Sequence, residues 1–102
     1  MTESEFNQLA DAALARIETA TDGCGEAECN RSGNVLEIEF DNGQKIIVNR
    51  HDVNQEIWVA AKSGGFHYAW QDDAWHSQRD GSELFAKLVE LFAEQGEQIS
   101  LP

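Results

Sequence analysis

Three carboxylates near the start of the chain, Asp11, Glu18 and Asp22, fall on one line if their segment is helical. At 100° per residue they lie within about 40° of one another, well off the apolar stripe of that segment. Glu37, Glu39 and Asp41 alternate along one side of a following strand, and Glu26 and Glu28 hang in the loop between. Crowded carboxylates are hard oxygen ligands, and a divalent or trivalent cation gains by relieving their mutual repulsion. If the strand lies at the sheet edge beside the helix, these groups make one acidic ridge. The chain has no EF-hand loop and no closed cage, so the expected binding is weak, multiple and exposed to solvent. The competing reading is a solvated acidic face that only keeps the protein soluble.

A second kind of chemistry lies in "NQEIWVAAKSGGFHYAW", residues 54–70. Ile57, Val59 and Ala61 share one face of a strand and Trp58 takes the other, beside Glu56 and Ala60. His67 of the next strand is expected on the same side. A large indole ringed by polar groups has the composition of an interface hot spot, provided the aliphatic side is the covered one. The alternatives are that Trp58 points inward, or that a loop folds over it.

Catalysis finds little support. An acid–base pair needs a concave pocket that separates two pKa values, and no such pocket is legible. His51, His67 and His76 fall in different elements, with His51 and His76 read as ordinary surface residues. "KSGG" lacks the spacing of a phosphate-binding loop. Cys24 and Cys29, in "DGCGEAEC", have neither the C-x2-C spacing of a zinc site nor a second pair, and are expected to be free loop thiols, with a loop disulfide or an adventitious metal contact as the alternative. No catalytic residue is nominated.

Charge narrows the partners. Residues 1–41 hold ten acids and two arginines, and residues 42–102 hold nine acids and five bases, which gives −12 in all. Such a field repels nucleic acid and anionic membrane, and favours cations or a basic protein surface. The opening residues lack a basic n-region and an Arg-rich amphipathic pattern, so a bacterial cytosolic location is expected. No apolar run approaches membrane-spanning length.

The elements that must position these groups follow from periodicity. At 102 residues with 41% hydrophobic content, residues 1–102 read as a single domain. Residues 4–21 form an amphipathic helix with Phe6, Leu9, Ala10, Ala13, Ile17 and Ala20 on its stripe, Thr2 or Ser4 as N-cap, and Asp22-Gly23 as a left-handed stop. Residues 23–34 read as loop. "VLEIEFDNGQKIIVNR" gives two strands about an Asn42-Gly43 hairpin turn, with Leu36, Ile38 and Phe40 inward. The inward face of Lys45–Asn49 is ambiguous, because Ile46, Ile47 and Val48 are all β-branched. After a turn over His51–Asn54, strands Glu56–Ala61 and Phe66–Trp70 and a short strand around Trp75 follow. A closing helix then presents Leu84, Phe85, Leu88, Leu91 and Phe92, with Asp80-x-x-Glu83 as a capping box, Ser82 as the alternative cap and Gly96 as its end. Pro102 is terminal, so the loops are unstiffened. Tight turns force an antiparallel meander. The fold class is α+β: a two-layer α-β sandwich of about five or six strands, with the N- and C-terminal helices on one face and the other face open.

Over nearly its whole length the chain resembles a frataxin of the short bacterial type. The resemblance is carried by the acidic first helix, "NGQKIIVNR", "NQEIWVA", "GGFHYAW", Trp75 and "RDGSELF". It departs from the usual pattern at Glu56, where Gln is common, and at Val53, where Pro is common. The resemblance implies iron, as Fe2+ or Fe3+, bound weakly along Asp11, Glu18, Asp22, Glu37 and Glu39, with other divalent cations able to substitute. It implies a role in iron–sulfur cluster assembly, with the cysteine desulfurase as partner and the scaffold protein as a further contact. By position, Asn49, Trp58 and His67 fall on the sheet surface used for that contact. The expected state is a monomer, with metal-induced oligomers as the alternative. Two rival functions stay open: ferroxidase oxidation of Fe2+ at the carboxylates, and a metal-independent acidic adaptor.

Overall fold

The structure, a computed structural model, describes residues 1–101; Pro102 lies outside them. Helix α1 spans Glu3–Asp22, strands β1 to β6 span Ala27–Ser32, Val35–Phe40, Lys45–His51, Glu56–Ala61, Gly64–Gln71 and Ala74–Ser77, and helix α2 spans Leu84–Glu94. The strands form one sheet in sequence order, each antiparallel to the next. Both helices cover the same side of it, as the sequence predicts.

Thr2 starts α1 with a reciprocal cap. Its hydroxyl accepts from the Glu5 N–H at 3.1 Å, and the Glu5 carboxylate accepts from the Thr2 N–H at 2.9 Å. The stop differs from expectation. Gly23 has φ −78°, so no left-handed cap forms; its N–H donates to Ala20 and that of Cys24 to Thr21, tightening the last turn. Leu14 joins the buried stripe, and Thr21 is buried because its hydroxyl donates to the Ile17 carbonyl at 2.8 Å.

The predicted loop 23–34 contains a strand, β1, which pairs with β2 from Ala27↔Phe40 to Ser32↔Val35. Its sequence, AECNRS, is small and polar and buries little, so neither propensity nor apolar alternation announces it. The strand is set instead by β2, which offers an unpaired edge, and by Gly33, whose φ of +59° suits the connecting turn.

The ambiguous third strand resolves with Ile46 and Val48 buried and Ile47 on the open side. At α2 the cap is Glu83 itself, whose carboxylate accepts from the N–H groups of Phe85 and Ala86 at 2.9 and 3.1 Å. The expected cap Asp80 is occupied one turn earlier, accepting from the N–H and hydroxyl of Ser82 at 3.0 and 2.7 Å. Gly96, with φ +80°, ends this helix as expected.

Between the layers, Phe6, Leu14 and Ile17 of α1 and Leu84, Leu88, Leu91 and Phe92 of α2 meet Leu36, Ile38, Val48, Ile57, Tyr68 and Trp75 of the sheet. Phe6 stands edge-on to Trp75 at 6.0 Å, and Phe40 to Phe92 at 5.0 Å. Burial of Ile57 and Val59 fixes the parity of β4 and sends Trp58 to the uncovered face.

Candidate docking face and acidic edge

Asn49, Trp58 and His67, nominated separately, are direct neighbours across three strands: Asn49 pairs with Trp58, and Trp58 with His67. The structure therefore brings all three together on the open face. Trp58 itself is neither bare nor interred. His51 stacks on one side of the indole at 3.9 Å and His67 on the other at 4.0 Å, each within 8° of parallel. The indole N–H donates to the Glu56 carboxylate at 2.8 Å. These contacts leave the ring half-buried, with its edge as the accessible part. A recess of about 200 Å³ beside it is lined by Ile47, Asn49, Ala60, Gly65 and His67 among others.

His51 is the residue that sequence reading missed. Its register partner is Glu56, which makes it the diagonal neighbour of Trp58, a separation that aromatic side chains bridge. The signal was legible once β3 was extended by two residues past Asn49.

The five nominated carboxylates do not form one row. Because β1 occupies the sheet edge, β2 is the second strand, and Glu37 and Glu39 lie one strand inward on the open face. Asp11, Glu18 and Asp22 ride on α1, on the other side of the sheet. The two groups thus flank the edge strand from opposite faces. Their partners also differ. Asp11 accepts from Arg31 at 3.1 Å and from Arg50, whose guanidinium also reaches Asn7 at 2.7 Å and Asp52 at 3.2 Å. Glu37 is paired with Lys45 at 3.3 Å. Glu39 lies between Glu28 and Lys45 in register.

Glu18 and Asp22 face Cys29, and burial together with these two charges pushes its thiol up to about 11. Cys24 is buried, its thiol donating to the Gln98 carbonyl at 3.3 Å, and both cysteines are unbridged. A further acidic group collects at the same end of the sheet. The Glu26 carboxyl is held above its ordinary value by a hydrogen bond to Asp41 and by the charges of Asp41 and Glu97. Among the described residues no three His, Cys, Asp or Glu side chains converge closely enough to enclose an ion, so a cation here would be held from one side and share its shell with water. No helix among the described residues is long and apolar enough to cross a membrane.

The class is now defined: a two-layer α-β sandwich with one sheet face open around a clamped tryptophan, and carboxylates on both sides of its first edge. The family model for the frataxin-like domain matches residues 1–98, and the chain belongs to that family. It is 54% identical over 102 residues to the iron-sulfur cluster assembly protein CyaY of Janthinobacterium sp. (strain Marseille), covering 94% of this chain and 91% of that one. To the protein of the same name from Chromobacterium violaceum it is 59% identical over 91 residues, covering 88% and 87%. Among solved structures, the frataxin of Psychromonas ingrahamii superposes with a TM-score of 0.89 at 31% identity, covering 98% and 97%. Trimeric yeast frataxin complexed with ferrous iron shares the fold, with a TM-score of 0.63 at 22% identity over 90% of this chain and 82% of that one.

Proposed function

We propose that this protein serves iron–sulfur cluster assembly in the bacterial cytosol as a non-enzymatic, iron-binding regulator or iron donor that docks on the cysteine desulfurase. One observation carries the docking part: the Asn49–Trp58–His67 row lies on a sheet face that neither helix covers. Relatives of about half identity bear the name of assembly proteins, which supports the pathway. In this reading the −12 charge steers encounter with a basic patch of the partner, and the edge of Trp58 supplies the short-range contact. Iron is cargo rather than a resident cofactor. Glu18, Asp22 and Glu39 hold it most readily, and Asp11 and Glu37 contribute only where their arginine or lysine partners yield.

The experiment is an affinity measurement against the desulfurase, with amide spectra confirming the fold of each variant. Trp58→Ala is expected to weaken binding roughly tenfold to thirtyfold. Lysine at Asp11, Glu18 and Asp22 together should weaken it further and flatten its dependence on salt. Unchanged affinity across both sets would refute the docking model.

A further inference from the structure

Both faces of the Trp58 indole are taken by imidazoles, and its N–H is taken by Glu56. A partner on this face therefore meets the ring edge and the two histidines that frame it. We propose that His51 and His67 form a protonation-sensitive clamp on Trp58 that sets how tightly this face docks. The inference rests on the docking reading above and adds its regulation.

Histidine is the side chain whose charge ordinarily changes between about pH 5 and 8. A proton on either ring turns a stack of neutral aromatics into an imidazolium–indole contact, which holds the indole more firmly. The same proton places positive charge on the surface offered to a basic partner. His67 is exposed, so its added N–H meets water, whereas His51 backs the indole with Nδ1 buried and unpaired.

Among the described residues no carboxylate forms a salt bridge with either imidazole. On β3 and the turn after it, Arg50 and Asp52 are bonded to each other, and Asn34 also donates to Asp52. Across from His51 stands Glu56, already accepting from Trp58. His76 ends the row that runs through Glu56 and Ala69. Around His67, Glu56, Arg79 and Asp80 line one hollow of about 630 Å³, and Asp80 is tied to Ser82. Acidification thus adds positive charge, offset only in part by the nearby Glu56 carboxylate, to the face that would meet a basic partner, and docking weakens.

The test has two readouts on the intact chain. In the free protein, the indole N–H resonance of Trp58 should move between pH 8 and 5.5 together with the ring signals of His51 and His67. It should stay still in a His51→Gln/His67→Gln double variant. Against the desulfurase, affinity of the unmodified chain should fall about fivefold to tenfold over the same interval, beyond any change seen with the double variant. In His67→Phe, which keeps a ring on the indole but cannot take a proton, the ratio of affinities at pH 8 and pH 5.5 should be smaller than in the unmodified chain, whatever the affinity at pH 8. A stationary indole signal, or identical pH dependence in the chain and its double variant, overturns the clamp. If Trp58→Ala binds normally at pH 8, the docking reading itself fails and takes the clamp's role with it. If Trp58→Ala loses affinity while pH dependence is unaltered in the double variant, only the clamp falls.

Discussion

Arg50 joins the acidic helix to the sheet, and replacing it with Met separates its electrostatic role from its packing. The side chain is only 10% exposed and its guanidinium lies 5.6 Å from the Phe6 ring centre. It donates to Asp11, to Asn7 at 2.7 Å and to Asp52 at 3.2 Å. A hydrogen bond to a charged group contributes roughly 1.5–3 kcal/mol when well buried. Here the two carboxylates are 53% and 51% exposed, and solvent screening brings each of those contacts toward about 0.5–1 kcal/mol. With the Asn7 bond and the cation–π contact included, Arg50→Met should cost about 2–3 kcal/mol. For a domain of this size that lowers Tm by roughly 10–20 °C. Urea unfolding followed by tryptophan emission measures it, with an unchanged m-value showing that the folded state is retained. The same variant leaves Asp11 with Arg31 alone, so Mn2+ titration should shift amides around Asp11 at lower metal concentration than in the unmodified chain. A loss below about 0.5 kcal/mol would show that the network contributes no more than scattered surface pairs, and the reasoning would be wrong.

Alkaline stability offers a second test. Burial pushes the Tyr68 phenol up to about 12 and, with Glu18 and Asp22, the Cys29 thiol up to about 11. Folding favours both neutral forms, so their contribution is complete below the ordinary values of 10.0 and 9.0 and is lost as pH rises through 12 and 11. Unfolding free energy should therefore fall steeply above pH 9, and a flat profile contradicts the assignment. The Tyr68 hydroxyl lacks a well-formed hydrogen bond, Ser82 being near enough only to ease its burial. Tyr68→Phe should accordingly stay within about 1 kcal/mol of the parent at pH 7 and lose less stability above pH 10. Cys29 should react with iodoacetamide at pH 8 about a hundredfold more slowly than an unhindered thiol, and Glu18→Gln with Asp22→Asn should speed it; equal rates would place those carboxylates elsewhere. The carboxyl of Glu26 is raised, so its contribution is full at acid pH and disappears as pH climbs through the carboxylate range. Glu26→Gln should then be no less stable at pH 7, measured by the same urea titration.

The layers, the meander and the open face were legible because each rests on a period. Apolar spacing in α1 and α2 marks their buried stripes, and strict alternation at Leu36, Ile38 and Phe40 and at Ile57 and Val59 fixes which strand sides are covered. Where no period exists the reading stopped. β1 has two partly buried positions, Ala27 and Cys29, neither with strand propensity, and it exists because β2 needs a partner. With β1 unread, β2 stood at the sheet edge, which merged two carboxylate groups that the sheet keeps apart. Caps were partly visible. Thr2 was one of two candidate N-caps of α1 and its box with Glu5 went unread, whereas the choice of Glu83 over Asp80 depends on where the chain turns before α2, which is a tertiary matter. The clamp on Trp58 required register across three strands, and register follows from turn lengths that only the folded chain displays.

That register also separates the acids by what they can do. Asp11 and Glu37 each have a cation within salt-bridge distance, so a metal must first displace an arginine or a lysine to use them fully. Glu18 and Asp22 have no salt-bridge partner among the described residues, and their charges add to the burial that raises the Cys29 thiol. An ion held there would relieve the repulsion between the two carboxylates and would tie α1 to the edge strand, where β1 buries little of its own surface. β1, which has no fully buried position, therefore lies beside these two carboxylates. Were a cation bound on the α1 side, its occupancy and the order of β1 would be linked, on a different side of the sheet from the face that carries Trp58.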